Sequence, residues 1–357
     1  MITLEKFEIE ERKKALVNNF VNSNAKKYIM GISRDGYAKG LSNIVDINGF
    51  IDDFTNSKFF LNKPIVKTAD LEKDSLIVVC STVRTRTAVQ KLHEMGFINV
   101  ISYPEFYKYI DNHQIKLRIL SDFDKEYSQH SEKYDLIHSR LKDTLSKETF
   151  ISLLNYRSTA NLEYMKNFIF DPKGQYFEDF LKLQEEVFID AGGFDGQTSI
   201  EFIKHCPNYK AVYIIEPSKE SLEIIKNNLK NFKNINFISK GLSNKQDTLK
   251  FDMESGSASS ISENGTVSIE VDTLDTLVEE KVTFIKVDIE GAEGLAIEGM
   301  KHHILKDHPK MAISVYHKVD DFWKIPEQIF SIRDDYDIYM RHYTEGTDET
   351  VMFFMPK

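Results

Sequence analysis

The sequence has very little cysteine, since only Cys80 and Cys206 occur among its 357 residues. Two cysteines this far apart cannot build a disulfide framework or a Cys-rich zinc site, so we expect two buried thiols in a reducing compartment. No apolar stretch approaches the ~20 residues that cross a bilayer. Residues 1–12 are charged throughout, unlike a signal peptide. These absences predict a cytoplasmic protein without a transmembrane segment.

A basic stripe is also missing from the chain. Acidic residues outnumber basic residues 56 to 46, which gives a formal net charge of −10. No stretch concentrates Lys and Arg without acids beside them, which argues against a nucleic-acid partner and favours a small, neutral or locally recognised substrate. A chain of 357 residues exceeds the size at which one hydrophobic core usually stops growing. We therefore expect more than one domain.

Residues 1–110 alternate between strand and helix patterns, which predicts a small Rossmann-like α/β domain with a parallel sheet. The first turn, residues 31–36, keeps the dinucleotide spacing, but Ser33 replaces the glycine that admits a pyrophosphate. Asp52 and Asp53 end the next strand. The region is similar to the nucleotide-binding half-domains at the front of some bacterial sugar-modifying enzymes. Two interpretations stay open: a nucleotide site, or a degenerate domain that contacts a second copy or a glycan-assembly partner.

Residues 111–184 are rich in charged residues, Ser and Tyr, with apolar positions such as Leu141, Leu145 and Phe150 near helical spacing. This pattern predicts a helical connector. One interpretation makes it a solvated linker with no role in chemistry. The other depends on the turn at residues 171–177, whose adjacent aromatic side chains precede the next strand and could cover a ligand.

The most informative stretch is an apolar strand, starting at Val187, that runs into an acidic glycine-rich turn and then a helix. Its glycines, which lack Cβ atoms where the backbone bends and a ligand approaches, are Gly192, Gly193 and Gly196. The spacing is not the G-x-G-x-x-G of dinucleotide enzymes, and Asp190 would repel a pyrophosphate. An acid there can accept a hydrogen bond from the amino group of S-adenosylmethionine. Glu216 ends the next strand, where an acid can bind ribose hydroxyls.

Further strands are predicted through residues 185–357. They lie at residues 211–216, 235–239, 248–252, 267–272, 282–288, 311–316, 337–341 and 349–355. Helices separate the early strands, but only a short polar turn at 344–348 divides the last two, which predicts an antiparallel hairpin at the end of a parallel sheet. A reversed last strand is typical of the class I methyltransferase sheet. We therefore predict a methyltransferase domain here.

Three side chains are catalytic candidates. Methyl transfer is an in-line displacement, so the protein must align the acceptor oxygen and help to remove its proton. Asp288 and Glu290 follow a central strand at the edge where open α/β sheets bind ligands, and Asp288 also counts as a cofactor-side acid. His317 follows the next strand and could act as a neutral base. The alternatives are an acid in the first turn of a helix for Glu290 and a hydrogen-bonded strand-end residue for His317.

Other polar residues have weaker claims. His342 is a second candidate base. Lys286 and Lys318 could bind an anionic acceptor, although lysines beside strands are usually solvated. The serine cluster at residues 255–260 offers hydroxyls for a polyol, or is a plain loop.

Several motifs occur in a specific order: FIDAGGFDGQT at 188–198, EP at 216–217, SASS at 257–260, VDTLD at 271–275, KVDIEGAE at 286–293 and SVYHK at 314–318. With this order and spacing, the chain from residue 175 onward resembles the FkbM-type family of S-adenosylmethionine-dependent methyltransferases. The resemblance covers about half of the chain and leaves out the front domain. It implies O-methylation of a sugar or sugar-like hydroxyl in a polysaccharide or secondary metabolite.

Two other functions remain open from the sequence. The front domain could make the chain a nucleotide-sugar or NAD-dependent oxidoreductase or epimerase, although Ser33 counts against this. The chain could also be a noncatalytic assembly protein. No residue is assigned as a metal ligand, because no tight ligand spacing occurs, but Mg²⁺ bound through Asp288 and Glu290 stays open.

Overall fold

The protein has a mixed α/β fold, as predicted from the sequence. The structure is a computed structural model that describes residues 2–32, 36–110, 117, 119–252, 260–261 and 267–357. Ser33 and most of the serine cluster, residues 255–259, lie outside the described residues. Both cysteines are buried free thiols. No helix in the described part of the chain combines the length and the apolar composition needed to cross a membrane.

The front domain contains a sheet with helices around it. Its strands are β1 (Lys27–Met30), β2 (Gly49–Ile51), β3 (Phe59–Phe60), β4 (Lys63–Val66), β5 (Leu76–Val79) and β6 (Val100–Ser102). Its helices are α1 (Glu11–Asn22), α2 (Tyr37–Ile44), α3 (Thr85–Glu94) and α4 (Tyr103–Tyr109). The strand order is β3-β4-β2-β1-β5-β6, and all pairs except β3–β4 are parallel. The apolar residues of β5 are all buried, as in a sheet covered on both faces.

The connector contains two long helices, α5 (Phe123–Arg140) and α6 (Thr144–Thr159). Asp143 caps α6 by accepting a hydrogen bond from the Ser146 amide. The Ser146 hydroxyl accepts the Met340 amide at 2.9 Å, and the Arg341 guanidinium binds Asp143 at 2.7 Å. Helix α6 is therefore packed on the C-terminal domain, which excludes the interpretation of this helix as a solvated linker.

The C-terminal domain follows. Its strands are β7 (Val187–Ala191), β8 (Ala211–Ile215), β9 (Ile235–Ile238), β10 (Gly241–Leu242), β11 (Asp247–Asp252), β12 (Ser260–Ile261), β13 (Val267–Asp272), β14 (Phe284–Val287), β15 (Lys310–Ser314), β16 (Tyr336–His342) and β17 (Thr350–Pro356). Its helices are α7 (Gln197–His205), α8 (Lys219–Leu229), α9 (Leu274–Leu277), α10 (Glu293–Gly299), α11 (Lys301–Lys306) and α12 (Asp321–Ile332).

The main C-terminal sheet has seven strands in the order β16-β17-β15-β14-β7-β8-β9. β17 pairs antiparallel with both β15 and β16, whereas the other pairs are parallel. The strands β10 to β13 form a separate four-stranded sheet. Because β8, β7, β14 and β15 are parallel neighbours, the turns that follow them meet at one edge of the sheet.

Candidate active site

The glycine turn after β7 packs directly on the turn after β14. Gly192 has φ +85°, and a Cβ atom there would lie 1.8 Å from the carbonyl oxygen of Asp288. A Cβ atom on Gly193 would lie 2.4 Å from the Ile214 side chain, and Gly196 starts α7 with φ +82°. These glycines are therefore required by backbone and helix packing inside the protein, a reason that the sequence did not reveal. The packing brings the glycine turn and Asp288 together.

A buried ion pair between Asp190 and Lys286 stabilises the glycine turn. Asp190 is fully buried and accepts hydrogen bonds from the Ser199 hydroxyl at 2.7 Å and from Lys286 Nζ at 3.1 Å. The Lys286 ammonium also donates to the carbonyl oxygens of Ala191, at 3.2 Å, and Gly192, at 2.8 Å. Burial alone would lower the pKa of Lys286, but the surrounding carboxylates, led by Asp190 and Asp288, together outweigh it and raise that pKa. Lys286 is thus neither solvated nor available to an anionic acceptor, which corrects the expectation from the sequence.

Glu216 lies at the end of β8, beside the glycine turn. Its Oε2 accepts the Phe194 amide at 3.1 Å and its Oε1 accepts the Ser218 amide at 2.8 Å. Burial raises the pKa of this carboxyl above its usual value. Each carboxylate oxygen can accept more than one hydrogen bond, so both can still receive ligand hydroxyls.

Asp288 lies at the end of β14 and is surrounded by donors. It accepts the Tyr176 hydroxyl at 2.7 Å and the Tyr316 hydroxyl at 3.3 Å, and His317 Nε2 lies 3.4 Å from Oδ1. Burial would raise the pKa of Asp288, but the positive charges of His317 and Lys286 outweigh it and lower that pKa. Asp288 is therefore an ionised carboxylate at neutral pH.

His317 lies among three carboxylates and its side chain is fully buried. Nδ1 lies 2.9 Å from Glu293 Oε1, and Nε2 lies 3.4 Å from Asp288 Oδ1 and 3.5 Å from Glu290 Oε2. These contacts are ion pairs, since neither ring nitrogen has an aligned hydrogen-bond partner. Burial would lower the pKa of His317, but the carboxylates, led by Glu293, raise it to about 9. A pKa of about 9 favours a protonated ring at pH 7, against the neutral imidazole base expected from the sequence; the catalytic role of His317 stays a prediction.

The charge of His317 makes the stability of the protein depend on pH. Its pKa is about 9 in the folded chain against an ordinary value of 6.5. The ion pairs therefore stabilise the fold fully below about pH 6.5, and this contribution is lost as the pH rises through about 9. We expect His317→Asn to flatten the fall in the free energy of unfolding over this range, as measured by urea denaturation. His302→Asn, at an exposed histidine, should leave the slope as in the wild type; an unchanged slope in His317→Asn would contradict the assignment.

Two connector residues and one loop residue join the site, and the sequence did not assign them a role in it. Tyr176, from the turn at residues 171–177, donates to Asp288, and Gln175 Nε2 donates to the carboxylate of Glu349. Burial and the nearby Asp288 charge raise the pKa of Glu349 to about 8, so this side chain is mostly protonated at neutral pH. The paired aromatics of the turn were the only sequence signal. Glu349 gave none, because it follows a polar turn.

The remaining candidates are His342 and Lys318. His342 is buried, contacts the Thr350 hydroxyl at 2.8 Å and packs edge-on against Phe168. Burial lowers the pKa of His342 to about 3, so it is a neutral core residue at pH 7. Lys318 is exposed.

The acids of the front domain stabilise local turns. Asp52 Oδ1 accepts the amides of Phe54 and Thr55. Asp53 accepts both the amide and the hydroxyl of Thr68, each at 2.8 Å. These contacts account for the acids at the end of β2 without a nucleotide.

The fold, the glycine turn and the acids at one sheet edge together are those of a methyltransferase-like α/β protein. Residues 190–344, a little under half of the chain, match the methyltransferase FkbM domain. No curated protein matches the sequence.

One solved structure supports the fold of nearly the whole chain, and two others are similar to about half of it. A methyltransferase FkbM from Methylobacillus flagellatus is 22% identical, with a TM-score of 0.77, over 98% of this chain and 94% of that chain. A precorrin-6y C5,15-methyltransferase from Geobacter metallireducens is 14% identical, with a TM-score of 0.33, over 54% of this chain and 95% of that one. The Aeropyrum pernix fibrillarin bound to S-adenosyl-L-methionine is 13% identical, with a TM-score of 0.34, over 51% and 71%. The first of these resembles the whole chain, including the front domain.

Proposed function

We propose that the protein is an S-adenosylmethionine-dependent methyltransferase that methylates a hydroxyl oxygen of a sugar or glycan precursor. One observation carries the proposal: the backbone of the glycine turn touches the backbone of Asp288, with a Gly192 Cβ position 1.8 Å from the Asp288 oxygen. A ligand held above the turn therefore lies beside an ionised carboxylate. A methyl donor and an acceptor hydroxyl need this proximity.

The residues beside the glycine turn fit this cofactor. Glu216 has oxygens that can accept ribose hydroxyls, and the turn from Gly192 to Gly196 leads into the N-terminus of α7. S-adenosylmethionine, when bound, supplies a methyl group activated by the positive sulfonium, and an acidic site edge favours such a cation. The sequence also assigned Asp190 to the amino group. Because Asp190, unlike Glu216, has no exposed surface and both of its oxygens accept bonds within the protein, we propose that it acts mainly through Lys286, by holding the turn.

Asp288 is the residue best suited to remove the acceptor proton. Its carboxylate is ionised, and Tyr176, Tyr316 and His317 hold it in place. A carboxylate in this environment accepts a hydrogen bond from the acceptor hydroxyl and then its proton. Protonated His317 keeps Asp288 ionised and so serves as a positioning residue. Glu290, with φ +57°, is proposed to contact a second acceptor hydroxyl, since strained residues concentrate at functional sites.

Calorimetric titration tests the cofactor assignment directly. We expect the wild type to bind S-adenosylmethionine and Glu216→Ala to bind it about tenfold or more weakly, because hydroxyl–carboxylate bonds contribute about 1.5–3 kcal/mol. Glu220→Ala, at an exposed glutamate of α8, is the matched control and should bind as the wild type does. Absence of binding by the folded wild type would refute the proposed function, and equal affinity in Glu216→Ala would refute only the residue assignment.

Binding of Mg²⁺, which the sequence left open, stays untested. Asp288, Glu293 and His317 offer ligand atoms within 4.8 Å of one another, so a cation would compete with the proton on His317. The rate of methyl transfer, measured after complete chelation and again after Mg²⁺ is added, tests whether Asp288 and Glu290 bind a metal ion.

The alternative functions depend on the front domain. No contact in the described residues favours a nucleotide there, and binding of NAD or a nucleotide sugar by the full chain would revive an oxidoreductase or epimerase. A partner at this domain also stays a prediction. The exposed Phe54 and Phe59, at the β3 edge of the sheet, are the surface to test for a second copy or an assembly protein.

A further inference from the structure

The loop between β16 and β17 leaves its own domain and lies on the front domain. It contacts the turn after β5, at the carboxyl edge of the front sheet, which is where sheets of this strand order bind their ligands. Tyr37, Cys80 and Ser81 of the front domain and Gly346 of the loop line one small cavity there. The chain therefore places its own backbone in the crevice that the sequence suggested for a nucleotide.

Glu345 makes the central contact. Its carboxylate accepts the Thr87 amide at 2.7 Å and the Thr87 hydroxyl at 2.5 Å, in the first turn of α3. Its own amide donates to the Val83 carbonyl at 3.0 Å. The side chain is 6% exposed. A carboxylate at a helix N-terminus satisfies free amides and interacts favourably with the helix dipole, so Glu345 has the position that a ligand anion would take.

The next residue, Gly346, packs its backbone directly against the backbone of the front domain. A Cβ atom on Gly346 would lie 1.9 Å from the carbonyl oxygen of Thr82. A carbonyl oxygen cannot move aside as a flexible side chain can, so any side chain at this position would lift the loop away. The loop is thus held at two consecutive residues.

The other end of the loop reaches the active site. The Thr344 hydroxyl donates to the Asp348 carbonyl at 2.8 Å, which closes the loop into one unit. The next residue, Glu349, accepts the Gln175 side-chain amide, and the adjacent Tyr176 donates to Asp288. A shift at Glu345 would therefore move Glu349 and, through Gln175 and Tyr176, the partners of Asp288.

We propose that Glu345 is a positioning residue: by binding Thr87, it uses the front domain to hold the loop so that Glu349 and Gln175 support Asp288. The front domain is then a platform for the acceptor side of the site, with its ligand crevice occupied by the chain itself. The catalytic part of this inference rests on the proposed methyltransferase function.

Hydrogen–deuterium exchange of the full chain tests the proposal. The test variants are Glu345→Gln and Thr87→Val, and the controls are Thr87→Ser, which keeps the hydroxyl, and Glu94→Gln, at an exposed residue of the same helix. In both test variants we expect the amides of residues 343–350 and also of 175–177 to exchange at least about tenfold faster, since a bond to a charged group contributes about 1.5–3 kcal/mol. Both controls should match the wild type.

The outcomes distinguish the contact between Glu345 and Thr87 from its effect on the partners of Asp288. Faster exchange confined to residues 343–350 and the start of α3 would mean a purely local contact and would overturn the positioning role. Unchanged exchange in both test variants would overturn the proposal that the Glu345–Thr87 contact holds the loop on the front domain. S-adenosylmethionine affinity is measured in parallel and should stay within about twofold of the wild type in every variant, because the cofactor residues lie elsewhere. A wild type that binds no S-adenosylmethionine would count against the proposed function and not against the Glu345–Thr87 contact.

Discussion

Replacing Lys286 by methionine should lower the free energy of unfolding by about 3–5 kcal/mol, because it leaves a buried carboxylate without its ion-pair partner. Asp190 has no exposed surface and would keep only the Ser199 hydroxyl. The carbonyl oxygens of Ala191 and Gly192 would also lose their donor. The turn that we assign to the cofactor should loosen at the same time. Urea denaturation at pH 7 measures the first effect, and calorimetric titration with S-adenosylmethionine measures the second.

Two further variants show whether the cause is the unpaired charge. Lys318→Met removes an exposed lysine and should change the free energy of unfolding by less than about 0.5 kcal/mol. The double variant Asp190→Asn, Lys286→Met should recover much of the lost stability, because no unpaired charge stays buried. If Lys286→Met alone is as stable as the wild type, the ion pair does not hold the turn.

The second large effect is expected at Asp288. Asp288→Asn should reduce methyl transfer by about 10²–10⁴-fold, the usual contribution of a general base. The amide keeps the shape of the carboxylate and still offers one oxygen to Tyr176 and Tyr316. The affinity for S-adenosylmethionine should therefore stay within about threefold of the wild type. Transfer of labelled methyl groups to a panel of monosaccharides and glycan fractions measures the rate.

The matched control is Glu298→Gln, at an exposed acid of the domain, which should transfer methyl groups at the wild-type rate. A loss of cofactor affinity equal to the loss of rate would assign Asp288 to cofactor binding instead. If the rate is unchanged while the cofactor still binds, another group in the cluster is the general base.

Much of the fold could be predicted from local patterns. The apolar strand at Val187, the glycine turn and the acids after β14 follow from short-range residue preferences and from the rule that parallel strands present their carboxyl ends together. The strands β3 and β4 were not predicted, because Phe59–Phe60 has only two residues and Lys63–Val66 contains Pro64, which disfavours a strand. Helix α6 looked like a linker helix, because the surface it packs against is β16, far along the chain.

The candidate site was predictable only in part. The proximity of Asp288 and His317 follows from neighbouring strands, but the charge of His317 depends on three carboxylates that surround it only in the folded chain. Tyr176 contacts Asp288 from 112 residues away, and Thr87 meets Glu345 from 258 residues away. No local pattern carries such pairings, because they depend on how separate domains pack.

The sequence by itself determined the class of sheet, the glycine turn and the acidic residues at its edge, since these depend on backbone conformation and strand periodicity over a few residues. Tertiary structure alone decided what those residues do. Folding pairs Lys286 with Asp190, raises the pKa of His317 through its three carboxylate neighbours, and brings Glu345 to Thr87 of the front domain. The physical reason is that desolvation and charge pairing depend on distances in space, and these arise only when distant segments pack together.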